Sequence, residues 1–261
     1  MNENIKWTAA AVAVVGLAIG GIVYFSRNDH AGPPEAPAAA PKAQAAVPDE
    51  AAVKHPLAAA ETQDPLPPLV DSDQPAQDAL VTLLGMEAVE QFVVPKDLVR
   101  HIVVTIDNLP DQKVAEKIRA LKPTAGRFVA GGGEETPVLD PANYERYKPL
   151  VQLVRSIDTQ RLVAAYTRFY PLFQEAYESL GHPPQYFNDR LVEVIDHLLL
   201  TPDLQGPIDL AQPNVLYEFA DPKLESRSAG QKALIRMGSE NATAVKDKLR
   251  ELRSELVKPK S

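Results

Sequence analysis

The sequence predicts a mainly α-helical domain with one or two small β-hairpins, an α+β arrangement, set behind a single-pass N-terminal transmembrane helix and a disordered Ala/Pro-rich tether. Three observations carry this prediction. From about Pro75 onward, bulky apolar residues recur at intervals of three and four, the period of a helix with one buried face. Two stretches, RFVAGGGEETPVLD and GPIDLAQPNVLYEF, break that period with short apolar runs on either side of turn residues, the mark of a hairpin. Ahead of Pro75 the composition shifts twice, to an uncharged apolar run and then to alanine and proline.

Residues 1–7 read as a short tail. Thr8 to Phe25, TAAAVAVVGLAIGGIVYF, gives eighteen residues without a charge. At a rise of about 1.5 Å per residue such a helix is roughly 27 Å long, close to the thickness of a bilayer core. Trp7 and the Tyr24–Phe25 pair stand at its ends, where amphipathic rings favour the headgroup level. A cleaved signal peptide would have a shorter apolar core closed by a small-x-small site. Ala18-Ile19-Gly20 has that form, but Ile22-Val23-Tyr24-Phe25 extends the run past it, so 8–25 reads as an uncleaved anchor. Lys6 before the span and Arg27 after it scarcely bias orientation. The brevity of the tail favours leaving it inside and exporting the rest. The expected location is the inner (cytoplasmic) membrane, with the C-terminal domain periplasmic or otherwise extracytoplasmic and the lipid bilayer as one partner.

Residues 26–66 read as a disordered linker, because alanine and proline dominate and almost no bulky apolar side chain is present to build a core. Proline-rich chain of this kind is a semi-rigid spacer. Cysteine is absent, which excludes disulfides and thiolate chemistry. Residues 61–261 carry 23 Lys and Arg against 30 Asp and Glu, seven of the eight net negative charges. An acidic body repels phosphate, so nucleic acid is not an expected partner.

The folded domain is expected over 67–258. In PKDLVRHIVVTIDNL, Pro95 suits a first helical turn, and Leu98, Ile102, Ile106, Leu109 with Val99 and Val103 repeat on one side. QKVAEKIRAL extends the helical pattern. Asp140 and Pro141 read as a cap and first-turn pair, with Pro149 restarting the helix through Ile157. Gln160 to Leu180 reads as a helix stopped by Gly181 and kinked at Pro171. Its stripe of Tyr166, Phe169, Tyr170, Phe173, Tyr177 and Leu180 reads as core rather than a stacking platform. Two last helices divide at Gly238-Ser239, and Val245, Leu249, Leu252 and Leu256 form a packing stripe on the second.

The stretch that most resembles chemistry is YFNDRLVEVIDHLLLTP, Tyr186 to Pro202. On a helix, Asp189, Glu193, Asp196 and His197 share one arc, with Leu191, Val194, Ile195, Leu198 and Leu199 opposite. Carboxylates and an imidazole at such spacing are candidate binding residues, since positions four apart can ligate one ion. The competing reading is a solvated face with Asp189 favourably placed near the helix N-terminus. The spacing Glu-x-x-x-His departs from the di-iron Glu-x-x-His, and neither a catalytic residue nor a metal set is assigned. Gly131-Gly132-Gly133 reads as a turn, because Glu134 and Glu135 would repel a phosphate. P-loop, Gly-x-Ser-x-Gly and His-Glu-x-x-His patterns are absent, no serine is marked beside His101, His182 or His197, and no cofactor is expected.

VVTIDNLP, LDPANYERYKPLV, YFNDRLVEVIDHLL and VLYEFADPKLESRSAGQKALIRMG occur in this order. Together they resemble a bacterial uncharacterised membrane-anchored family, domain-of-unknown-function family 3014, over roughly Pro67 to Leu256. The resemblance implies a bacterial protein with an N-terminal anchor and supplies neither an activity nor site residues. The expected function is that of a non-enzymatic, membrane-anchored interaction or scaffold domain that binds a protein partner in the cell envelope. The alternative is an envelope ligand-binding or metal-dependent hydrolytic domain using the face from Asp189 to His197.

Overall fold

The computed structural model describes residues 53–57, 65–114, 119–122, 125–133, 135–181 and 185–258. The anchor expected over 8–25 lies outside the described residues, as does most of the tether. Nine helices and two antiparallel hairpins occur among the described residues, in agreement with the mainly helical α+β class. None of these helices is long and apolar enough to cross a membrane.

A short 3-10 turn, Leu69–Asp71, leads into α1 (Asp73–Leu84), and Gly85 at φ +85° turns the chain into α2 (Met86–Phe92). Helix α3 spans Leu98–Asn108. The periodic set Leu98, Val99, Ile102, Val103, Ile106 and Leu109 is buried, so the Ile-Val-Val-Thr-Ile run is helix and not strand. Pro95 does not open the helix as expected. Asp97 takes a left-handed conformation, φ 49°, at the cap position. The Asp73 carboxylate, from α1, accepts the N–H groups of Asp97 (2.9 Å) and Leu98 (2.8 Å), so the cap comes from a different helix. The helix expected over QKVAEKIRAL is also corrected, apart from residues 115–118, which lie outside the described set. Lys113, Val114 and the described residues 119–122 are not helical, and Leu121 forms an antiparallel bridge with Val93.

Strands β1 (Ala130–Gly132) and β2 (Pro137–Leu139) form the first hairpin, with Ala130 opposite Leu139. Strands β3 (Leu210–Ala211) and β4 (Glu218–Phe219) form the second. A bridge from Val138 to Asp209 joins the two, and Leu139 N–H donates to the Ile208 carbonyl at 2.8 Å. They close over a small core of Leu139, Ile208, Leu210, Phe219 and Ile235.

Helix α4 (Ala142–Ser156) runs unbroken through Pro149, which corrects the expected restart. Burial of Tyr147, Leu150, Val151 and Val154 holds the helix together across the one main-chain bond that the proline removes. Helix α5 (Thr159–Glu178) likewise continues on both sides of Pro171, with Asp158 accepting from Arg161 N–H at 2.8 Å. The aromatic stripe is core: Tyr166, Phe169, Phe173 and Tyr177 are buried and Tyr170 is half-buried, while Leu180, past the helix end, is exposed. Helix α6 (Phe187–Leu199) follows, then α7 (Pro222–Glu225), α8 (Ala229–Arg236) and α9 (Ser239–Leu256).

Helix α9 packs across α4, α5 and α6 through Val245, Leu249, Leu252 and Leu256, all buried, and α3 packs on α5 and α6. The main core joins these helices to α1 and α2. Two glycines permit the close approaches. A Cβ on Gly230 of α8 would fall 2.5 Å from Leu198 Cδ2 on α6, and Gly230 N–H donates to the Leu109 carbonyl at 3.0 Å. Gly238, at φ +84°, divides α8 from α9 as expected, and a Cβ there would meet the Tyr144 ring at 2.7 Å.

Candidate functional site

Helix α6 forms because its apolar residues fall on one side. Leu191, Val194, Ile195 and Leu198 are buried against the main core, and Val192 joins them. The candidate residues Asp189, Glu193, Asp196 and His197 lie on the other side, none of them buried. Their shared arc does not become a shared site. Each side chain has its own partner, and no three His, Asp or Glu side chains among the described residues gather where they could hold a metal ion.

Glu193 is paired along its own helix, with Arg190 Nη1 at 3.1 Å. Arg190 in turn reaches α3, donating from Nε to Asp107 Oδ1 (2.8 Å) and from Nη2 to the Asp107 carbonyl (2.9 Å). Burial works against the guanidinium charge, but the bonds to Glu193 and Asp107 outweigh it and hold the Arg190 pKa above its usual value. Asp196 faces α9, where Arg253 donates from Nε to Oδ1 and from Nη2 to Oδ2 at 3.0 Å, a two-point fork.

His197 meets Ser228, with Nε2 and Oγ 2.9 Å apart. Burial, followed by the nearby Arg190 and Arg227 charges, lowers the His197 pKa, which favours the neutral ring. Ser228 also caps α8, accepting Gln231 N–H at 3.2 Å, while Gln231 Nε2 donates to the His197 carbonyl at 3.0 Å. Sequence reasoning did not place a serine beside His197, because 31 positions separate the two and only the docking of α8 on α6 unites them. Among the described residues no hydrogen bond to His197 Nδ1 extends the pair into a triad.

Asp189 differs from the other three. Its carboxylate accepts two consecutive main-chain amides from the tether, Lys54 N–H on Oδ2 (2.9 Å) and His55 N–H on Oδ1 (2.7 Å). Asn188 Nδ2 donates to the His55 carbonyl at 2.8 Å, and Leu57 N–H donates to the Tyr186 phenol at 3.1 Å. The Leu57 side chain packs against the main core. Residues 53–57, within the stretch expected as linker over 26–66, form a strap across the start of α6.

The floor beneath this strap is aromatic and polar. The Tyr170 and Tyr186 rings lie 5.0 Å apart, with Tyr166 edge-on to Tyr170 at 5.6 Å. Gln174 Oε1 accepts from both Tyr170 OH (2.7 Å) and Phe187 N–H (2.8 Å), capping the first turn of α6 from α5. Burial, reinforced by the neighbouring phenols and Asp189, pushes the Tyr166 hydroxyl well above its usual range, so it stays protonated. Asn188 is fully buried, and its Oδ1 has no partner among the described residues.

Residues 98–253 match the family described as Protein of unknown function (DUF3014). The chain belongs to this family. The matched span opens at the start of α3 and closes on α9, so it holds Arg190, Glu193, Asp196, His197 and every partner just named for them. It also holds Tyr186, Asn188 and Asp189, whereas the strap they bind lies before it. No curated protein and no solved structure matches the chain.

Proposed function

We propose that this family member is a non-enzymatic protein-interaction domain, anchored by residues 8–25 to the inner membrane and held on its tether outside the cytoplasm. The observation that carries the interaction reading is Asp189, whose carboxylate is engaged by two successive main-chain amides at a bend of the tether. A carboxylate held this way binds main chain, as Asp73 does within the fold, and at Asp189 the main chain it binds comes from the tether. The anchor and the orientation are supported by the uncharged run and the brevity of the tail before it.

A photo-crosslinker at Glu193, the exposed member of the arc, in the membrane-bound full chain is the test. The reading predicts a discrete crosslinked polypeptide, and an export-dependent reporter fused after Ser261 should be active. A divalent-metal-dependent rise in melting temperature that vanishes in Glu193→Gln would overturn it in favour of a metal-dependent domain. The one observation favouring a hydrolytic alternative is the Ser228–His197 contact. Labelling of Ser228 by a fluorophosphonate, lost in His197→Gln, would support that alternative and count against the proposal.

A further inference from the structure

We infer that the Tyr186–Asp189 edge of α6 is a peptide-binding site, occupied in cis by residues 53–57 and open to a segment of the same bent main-chain pattern presented by a partner. This rests on the interaction-domain reading and names the chemistry of the partner. All four hydrogen bonds between strap and edge involve the strap's main chain: the N–H groups of Lys54, His55 and Leu57, and the His55 carbonyl. A site that reads main chain accepts any sequence able to present those groups in the same order.

The pattern is nonetheless selective. Proline is excluded at the positions of Lys54, His55 and Leu57, since each gives up its N–H. The position between the last two asks for no N–H, and proline stands there in the strap. Lys54 and Pro56 are exposed while His55 and Leu57 are half-buried, and the chain bends at Lys54 and His55, which turns both N–H groups towards the same carboxylate. Leu57 packs against the core, which sets a bulky apolar residue as the last requirement. The strap's one fixed charge, on Lys54, is positive, and the main-chain N–H of that residue meets Asp189.

Asn188 supplies the independent sign that the strap leaves part of the site unused. Its side chain is fully buried, its Nδ2 is engaged by the strap, and its Oδ1 has no partner among the described residues. A partner segment carrying one more donor there fills an acceptor that the strap leaves open.

Only residues 58–64 separate the strap from Pro65, where the described chain resumes. So short a connection holds the strap at an effective concentration on the order of millimolar. For an intrinsic Kd of about 0.1 mM, cis occupancy weakens binding of a free peptide about ten-fold.

The test uses the full chain in nanodiscs and a fluorescent peptide, AAVKHPLAAA, corresponding to residues 51–60. The strap variant His55→Pro/Leu57→Ala should bind the peptide about ten-fold more tightly than the parent. Adding Asp189→Ala should abolish binding, and a peptide with proline at the His55 position should not bind. A second arm needs no variant: excess unlabelled peptide added to the parent should speed hydrogen exchange at the Lys54 and His55 amides. Absence of binding to the strap variant at millimolar peptide, with unchanged exchange in the parent, would overturn the inference. Binding that survives Asp189→Ala would do the same. If either result coincided with retention of the Glu193 crosslinked species, this site would be wrong and the interaction reading would stand. Loss of both would remove both.

Discussion

The two ends of the α6 acidic arc carry similar charges and hold them to different uses. At the C-terminal end, Glu193, Asp196 and His197 are tied to Arg190, Arg253 and Ser228, and so to helices that belong to the core. At the N-terminal end, Asp189 holds main-chain amides of a segment that enters from the tether, more than 130 positions away. Side-chain pairs of the first kind fix how helices dock. Main-chain bonds of the second kind hold a segment that contributes only one apolar side chain, Leu57, to the core and can be exchanged.

Ile195, fully buried beneath both ends, sets the scale on which to break this comparison. Ile195→Ala should destabilise the domain by about 2–5 kcal/mol, through lost burial and a cavity, in a denaturant or thermal melt. Asp107→Asn comes next. It weakens the contact that holds Arg190 between α3 and α6, and a loss of about 1.5–3 kcal/mol is expected for a bond to a charged group. The Asp196–Arg253 fork is about half exposed, so Asp196→Asn should cost at most about 1 kcal/mol. Glu193→Gln, at a side chain 70% exposed, should fall within about 0.5 kcal/mol of the parent.

Acid should strain the C-terminal end of the arc through His197 and the first turn of α3 through His101. Burial lowers the pKa of both His197 and His101 in the fold below the usual 6.5. As pH falls through the unfolded value, the unfolded chain takes up these protons first, so stability declines from about 6.5 downward and levels off below the folded values. Chemical denaturation at a series of pH values should show this decline, and His197→Gln should reduce it. A stability that rises with acid over that range would contradict neutral, partly buried rings.

Much of this architecture is legible in the sequence because it depends on period. The buried set of α3, the aromatic stripe of α5 and the two faces of α6 all follow from three- and four-residue spacing. Failures come where a distant group decides. Pro95 looks like a helix opener, but Asp73 of α1 caps the chain three residues later. Pro149 looks like a break, but the burial of Tyr147, Leu150 and Val151 carries α4 across it. Ser228 is unmarked because its meeting with His197 depends on α8 settling through Gly230 onto Leu109 and Leu198.

The strap is hidden for another reason. Its contacts are main-chain hydrogen bonds, which leave almost no trace in composition. One trace exists: Leu57 is the first leucine after Leu17, an isolated apolar residue in a stretch otherwise poor in them. The acidic arc is likewise legible as a face but not as a division of roles, because helical angles place charges without naming their partners.

Residue-resolved hydrogen exchange on the full chain tests the difference between the two ends most directly. In the parent, the Lys54, His55 and Leu57 amides should exchange well below the rate of free peptide. In Asp189→Ala, Lys54 and His55 should return to that rate while the amides of α6 and α9 remain protected. In Asp196→Asn, the strap amides should stay slow. Free-peptide rates at Lys54 and His55 in the parent, or equal release by both substitutions, would contradict the account.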